Sequence, residues 1–297
     1  MQLQALLADS WRQLRRERAA WAAGLFGVAG NLLLGLWLRQ AARPELWREP
    51  LRLWWERQQI PVAQLLFWGG GALLLFLLAW LLALVGEGTL IAIAAGKERP
   101  WRQARRWLLR LVVIDTLVFL PLLVVLMTAL VVLVALLTGS TLAALESADP
   151  RAALLGGWSL ALLCVTPLML LLIPLALLTL VVRLLAFRAA TLEERGPRPA
   201  LRRAWALVRG ASGSAALAAL LLWGIAYTAG AALSAVFLTA NLVIALPGVA
   251  ASRFARPHLL LQLLLALVEW APRAALFAFL GLGWTHAYRQ MAAQESA

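Results

Sequence analysis

The chain has 297 residues, of which 63% are hydrophobic, with a mean hydropathy of +0.83 and a formal net charge of +13. Soluble domains hold about 45–50% apolar residues, so one soluble core cannot enclose this much apolar surface. Continuous apolar runs longer than the ~20 residues that cross a bilayer point to helices rather than alternating barrel strands, and give the cations a membrane role rather than a nucleic-acid one.

The N-terminal arm opens on Trp11-Arg12-Gln13-Leu14-Arg15-Arg16, with Asp9-Ser10 as the expected N-cap. An Arg pair backed by Trp beside an apolar segment suits a helix resting on an anionic membrane surface. Ordinary topology setting and anchoring is the plainer reading, and the two can coexist. The first span is predicted over 20–38. The arm resembles a signal-peptide n-region, but the apolar run is long and Arg39-Gln40-Ala41-Ala42 is a poor cleavage site, so no cleavage is expected.

The loop from Pro44 to Pro61 places Leu51, Trp54 and Trp55 on one helical face, with Arg52 and Glu56 one turn apart. It reads as a short amphipathic helix that touches lipid or docks a partner. The second span is predicted over 62–85, with an apolar tail to Ala95. Gly69-Gly70-Gly71 reads as a close-packing or flexible point, as does Gly156-Gly157 further on.

A second stretch, Trp101-Arg102-Gln103-Ala104-Arg105-Arg106, precedes the third span at 108–137. Asp115 lies about two turns into that span, within sequence reach of Arg106 and Arg110. The fourth span is predicted over 153–182 and contains the single cysteine, Cys164, which leaves no disulfide framework. A third stretch, with Arg202, Arg203 and Trp205, leads into the fifth span at 213–246. The sixth covers 258–288. Within it Glu269 and Arg273 flank Pro272, either as an internally neutralised pair or as a substrate or proton site. His258 and His286 stand at its two ends, ~40 Å apart along a continuous helix. They cannot share a metal, and whether either ligates a pigment or haem supplied with a partner stays open.

Sliding the chain on itself by 97 residues lays Pro100 on Pro197 and Arg105-Arg106 on Arg202-Arg203, and sets Glu87 beside Arg183. One reading is a three-fold repeat of an interfacial helix plus two spans, over 8–95, 96–192 and 193–297. Chance matching in an Arg-rich chain is the other; Lys97 is the only lysine among 27 cations. The repeat predicts a contact between Glu87 and Arg183. Pro121, Pro167, Pro174, Pro247 and Pro272 interrupt the last four spans and read as bends or as transporter-like breaks.

Eighteen cations fall on the side of the termini, Arg183 and Arg188 among them, and eight on the other, including Arg39. Positive-inside then places both termini in the cytoplasm. The expected protein is all-α: a polytopic bundle of six transmembrane helices with three short cytoplasmic interfacial helices, one integral domain spanning 1–297, in a bacterial inner membrane.

The layout resembles that of bacterial multi-span proteins similar to the membrane domain found beside some glycerophosphodiester phosphodiesterases. The resemblance rests on six spans, a small-residue turn at Gly86-Glu87-Gly88 leaving an even-numbered span, and the Arg–Trp segment from Ala200 to Gly210 before the fifth. It covers most of the chain. The catalytic barrel of those enzymes, with its metal-binding acids and histidines, has no counterpart here, so the resemblance implies a membrane module without the hydrolase.

No nucleophile–base set, phosphate loop or metal cluster is visible, so an enzyme is not expected, nor a cofactor or metal. Two functions are carried forward. One is a non-catalytic module that organises lipid, or a subunit of a larger membrane assembly, with anionic lipids and other membrane subunits as partners and no nucleic acid. The other is a transporter or permease for a small or lipid-like substrate, working through Glu87, Asp115, Arg183 and the Glu269–Arg273 pair.

Overall fold

The structure is a computed structural model that describes residues 2–42, 46–50, 52, 62–146, 150–245 and 255–296. Among them every long element is a helix: α1 (Leu3–Arg16), α2 (Arg18–Ala41), α3 (Val62–Ala94), α4 (Pro100–Glu146), α5 (Pro150–Leu192), α6 (Pro197–Gly210), α7 (Ser212–Ala245) and α8 (Ala255–Ser296). All but α1 and α6 contain a stretch long and apolar enough to cross a membrane, which makes six such helices. The expected loop helix around Leu51, Trp54, Trp55 and Glu56 lies outside the described residues, as do Pro247 and the side chains of His258 and Cys164.

Successive long helices pack as hairpins, α2 with α3, α4 with α5 and α7 with α8. The hairpins join through α3 on α4 and α8 on α2. The amphipathic stretches lie across the helix ends: α1 on α8, α6 on α5, and the start of α4 against α3. Both termini share one face, where the Gln2 amide donates to Gln290 Oε1 at 3.2 Å. It is called the terminal face below.

The core is concentrated toward that face. Fully buried residues cluster at the ends of α3 (Leu90–Ala92), α5 (Leu185–Ala190) and α8 (Leu282–Met291). Toward the opposite face the long helices expose leucines and valines such as Leu74, Val131 and Leu170, as hydrocarbon contact requires.

Four expectations are corrected. The second Arg–Trp stretch is no separate helix, because α4 runs unbroken from Pro100. α1 is set off by extended backbone at Glu17 and α6 by Ala211, and nothing equivalent interrupts α4. Gly86-Glu87-Gly88 is not a turn: α3 continues to Ala94 and turns at Gly96, whose φ of +70° suits glycine. The fourth span also ends later than expected, with Arg183 and Arg188 inside α5 rather than in a loop. Finally, the 97-residue slide does not superpose buried faces. Ala104 and Trp107 on α4 match Ala204 and Leu207 on α6, so Arg105-Arg106 and Arg202-Arg203 sit at different angles around their helices.

Candidate functional site

The most concentrated chemistry in the described residues is a buried cluster of four charges. Its placement begins with two glycines. A Cβ at Gly86 would lie 2.8 Å from Gly27 Cα on α2, and one at Gly88 would lie 3.2 Å from Leu111 Cδ1 on α4. Missing side chains on either flank therefore let α2 and α4 close on α3. Consecutive helical positions are about 100° apart, and Glu87, between the two, meets α5.

Glu87 Oε2 lies 3.3 Å from Arg183 Nη1, so the contact expected from the slide is present. Its Oε1 accepts from Arg188 Nη1 at 2.7 Å. Arg188 is fully buried and also donates to Leu184 O at 2.9 Å and to Gly281 O on α8 at 3.2 Å. Arg183 Nε donates to Asp115, and its guanidinium lies 4.4 Å from the Phe187 ring centroid. Asp115 also accepts from the Trp80 indole. Two acids and two arginines from three helices thus neutralise each other, with α8 supplying a carbonyl.

Asp115 was expected to pair with Arg106 or Arg110. Those residues lie roughly 180° and 140° around the helix from it, and both are exposed, with Arg110 reaching Glu194 O instead. Arg188 was missed by sequence reasoning, as were Trp80 and Glu193. The available signal for Arg188 was an arginine with apolar residues on either side, in Leu184-Leu185-Ala186-Phe187-Arg188-Ala189-Ala190.

A second polar group lies nearer the opposite face. Glu269 is buried and pairs with Arg273 one turn on, and Arg39 Nη2 from α2 lies 4.0 Å away. Arg273 Nη2 reaches Ser234 Oγ on α7 at 3.5 Å. Arg39, Glu269 and Arg273 line a cavity of about 380 Å³ floored by α8 and walled by α2 and α7, with Asn31 deeper along α2. Trp270 Nε1 donates to Leu25 O at 2.9 Å, which holds α8 against α2.

The Arg–Trp residues divide by partner. Trp11 is 52% exposed, and Arg15, Arg16, Arg105, Arg106 and Arg202 are exposed with no ion-pair partner among the described residues. Trp205 is partly exposed beneath Arg209, 5.0 Å from its ring centroid. Trp101 instead packs edge-on against Phe26 at 5.3 Å. Arg203 is engaged: it lies 3.4 Å from Glu193 and pairs with Glu295. Glu193 also accepts from the Tyr288 hydroxyl and from Arg195 Nε at 2.6 Å. Burial raises the Glu193 carboxyl pKa, but these donors outweigh it and hold the group below its ordinary value.

His286 Nε2 lies 3.2 Å from Gln13 Oε1, between α8 and α1. No group of three or more His, Cys, Asp or Glu is arranged to hold a metal among the described residues.

Six long apolar helices, with charges buried between them, define a multi-pass membrane protein of the helical-bundle class. No family model, curated protein or solved structure matches the chain.

Proposed function

We propose that this is a non-catalytic module of the bacterial inner membrane that gathers anionic lipid at its terminal face, alone or within a larger assembly. That face lies in the cytoplasm, where the cation bias would place it. The observation that carries the reading is the set of exposed, unpaired arginines beside tryptophan: Arg15 and Arg16 near Trp11, Arg105 and Arg106 near Trp101, and Arg202 near Trp205. Among the described residues Arg183, Arg188, Arg203 and Arg273 are matched to acids; these five are free for phosphate, which a guanidinium binds bidentately. The burial of Leu6, Ser10 and Leu14 on α1, and of Ala200, Ala204 and Leu207 on α6, gives each helix a fixed inner face and leaves the cationic one outward.

Reconstitution in nanodiscs carrying spin-labelled phosphatidylglycerol or phosphatidylcholine tests this. The anionic label should be immobilised in excess of the zwitterionic one, and the excess should shrink as salt rises. Equal immobilisation of both labels would contradict the reading.

One observation favours the transporter alternative, namely the cavity lined by Arg39, Glu269 and Arg273. On that reading, replacing Glu269 by Gln together with Arg273 by Met abolishes flux and leaves the fold intact. On the lipid-module reading the same double variant keeps the lipid preference of the terminal face.

A further inference from the structure

The cavity between α2, α7 and α8 has an excess of positive charge. Arg39 and Arg273 share one buried carboxylate, Glu269, so the group carries a net charge of +1. Arg273 Nε is buried and has no acceptor among the described residues. A cation at membrane depth without a full counter-charge is costly, and an anionic ligand would remove that cost.

The cavity is also graded along its length. Its charged end is formed by Arg39, Glu269 and Arg273, and its other end by Val28, Leu32, Leu276 and Leu280, with Asn31 the one polar side chain among them. From Arg39 to Val28 is eleven residues of α2, roughly 16 Å of rise, about the reach of a short acyl chain. A free anion needs only the charged end. Cation at one end and hydrocarbon lining at the other suit a molecule that carries both a phosphate and a chain.

We infer that this cavity is a phospholipid site, with the headgroup phosphate held by Arg39 and Arg273 and one acyl chain lying along the apolar end toward Leu280. Arg39 is more than half exposed and makes only a long contact with Glu269, so it is free to swing onto a phosphate. Arg273 stays tied to Glu269 through one nitrogen and presents the rest of its fork. Glu269 sets the strength of the site, because it competes with the phosphate for both guanidinium groups. The site lies at the face opposite the termini and does not depend on the Arg–Trp stretches.

The test uses the full chain in mild detergent, titrated with dioctanoyl phosphatidic acid, dioctanoylglycerol or inorganic phosphate, with occupancy read by native mass spectrometry. Wild type should bind the phosphatidic acid and bind neither the diacylglycerol nor inorganic phosphate comparably. Arg39→Gln should weaken phosphatidic acid binding about tenfold, the effect of losing one charge-assisted contact. Glu269→Gln should strengthen it, since both arginines are then released, whereas a merely structural pair would give no gain. The titrations are repeated in a background of Arg105→Gln, Arg106→Gln and Arg202→Gln, which removes the terminal-face arginines; the effects of Arg39→Gln and Glu269→Gln should persist there, so failure of this site and failure of the terminal-face reading are told apart. Comparable binding of inorganic phosphate, or affinity unmoved by both Arg39→Gln and Glu269→Gln, would overturn the proposal.

Discussion

Glu87 is held by two arginines: Arg183, which also pairs with Asp115, and Arg188, which has no other acid partner among the described residues. Removing one member of a buried, hydrogen-bonded set strands its partner, at a cost of about 3–5 kcal/mol. Glu87→Gln or Arg188→Met is therefore expected to lower stability by that order in detergent unfolding. The double variant should lose clearly less than the sum, because the remaining Arg183–Asp115 pair is neutral by itself. At the terminal face, Glu193 joins α5 to α6 through Arg203 and to α8 through Tyr288. Its folded pKa is depressed, so its stabilisation is present above the unfolded value, roughly 4.3, and is lost as pH falls through the lower folded value. Hydrogen exchange in α6 should accelerate below about pH 4, and Glu193→Gln should make α6 equally labile at pH 7. Residue-level sequence reasoning reached the Glu87–Arg183 contact by sliding the chain on itself, which sets the two side chains next to each other. It missed Arg188 because hydropathy falls at Arg183 and hides that the helix continues to Leu192. Partner choice for Asp115 depends on angle around α4 and on a helix distant in sequence.

Helices here are set by spacing as much as by apolar content. Gly86 is where α3 meets α2, and a methyl group there would press on Gly27 Cα. Gly86→Ala is expected to cost about 1–3 kcal/mol by overpacking. Gly69→Ala meets no atom within 4 Å and should be neutral or stabilising, by up to about 1 kcal/mol from helix propensity. Thermal unfolding of the two variants side by side checks the contrast. Span positions were legible because long Leu, Val and Ala runs have no other way to bury or solvate their surface. Helix ends were not. Pro100 and Pro197 both start helices, yet only the second begins a separate short one. The difference lies in backbone breaks at Glu17 and Ala211, which no strong turn residue announces at Glu17. Gly86-Glu87-Gly88 read as a turn because two glycines beside a charge have that local signature; tertiary packing against α2 and α4 overrides it.

At the scale of the whole molecule, three hairpins meet with α8 in contact with α2, α3 and α7, and the core gathers where α3, α5 and α8 end. Each amphipathic stretch lies on the end of a long helix from a different hairpin. The six spans and the shared side of the termini could be read from hydropathy and parity. The cavity could not, because Arg39 counts in sequence as a loop cation and meets Glu269 only through the packing of α2 on α8. The central claim is that free arginines of the terminal face retain anionic lipid. Native mass spectrometry of the full chain, released from membranes in mild detergent, tests it most directly. Wild type should carry bound phosphatidylglycerol or another anionic lipid. The variant with Arg105, Arg106 and Arg202 changed to Gln should lose about 3 kcal/mol of attraction, on the order of a hundredfold in retention, while still folding. Wild-type protein free of anionic lipid, or a variant that keeps it undiminished, would contradict the claim.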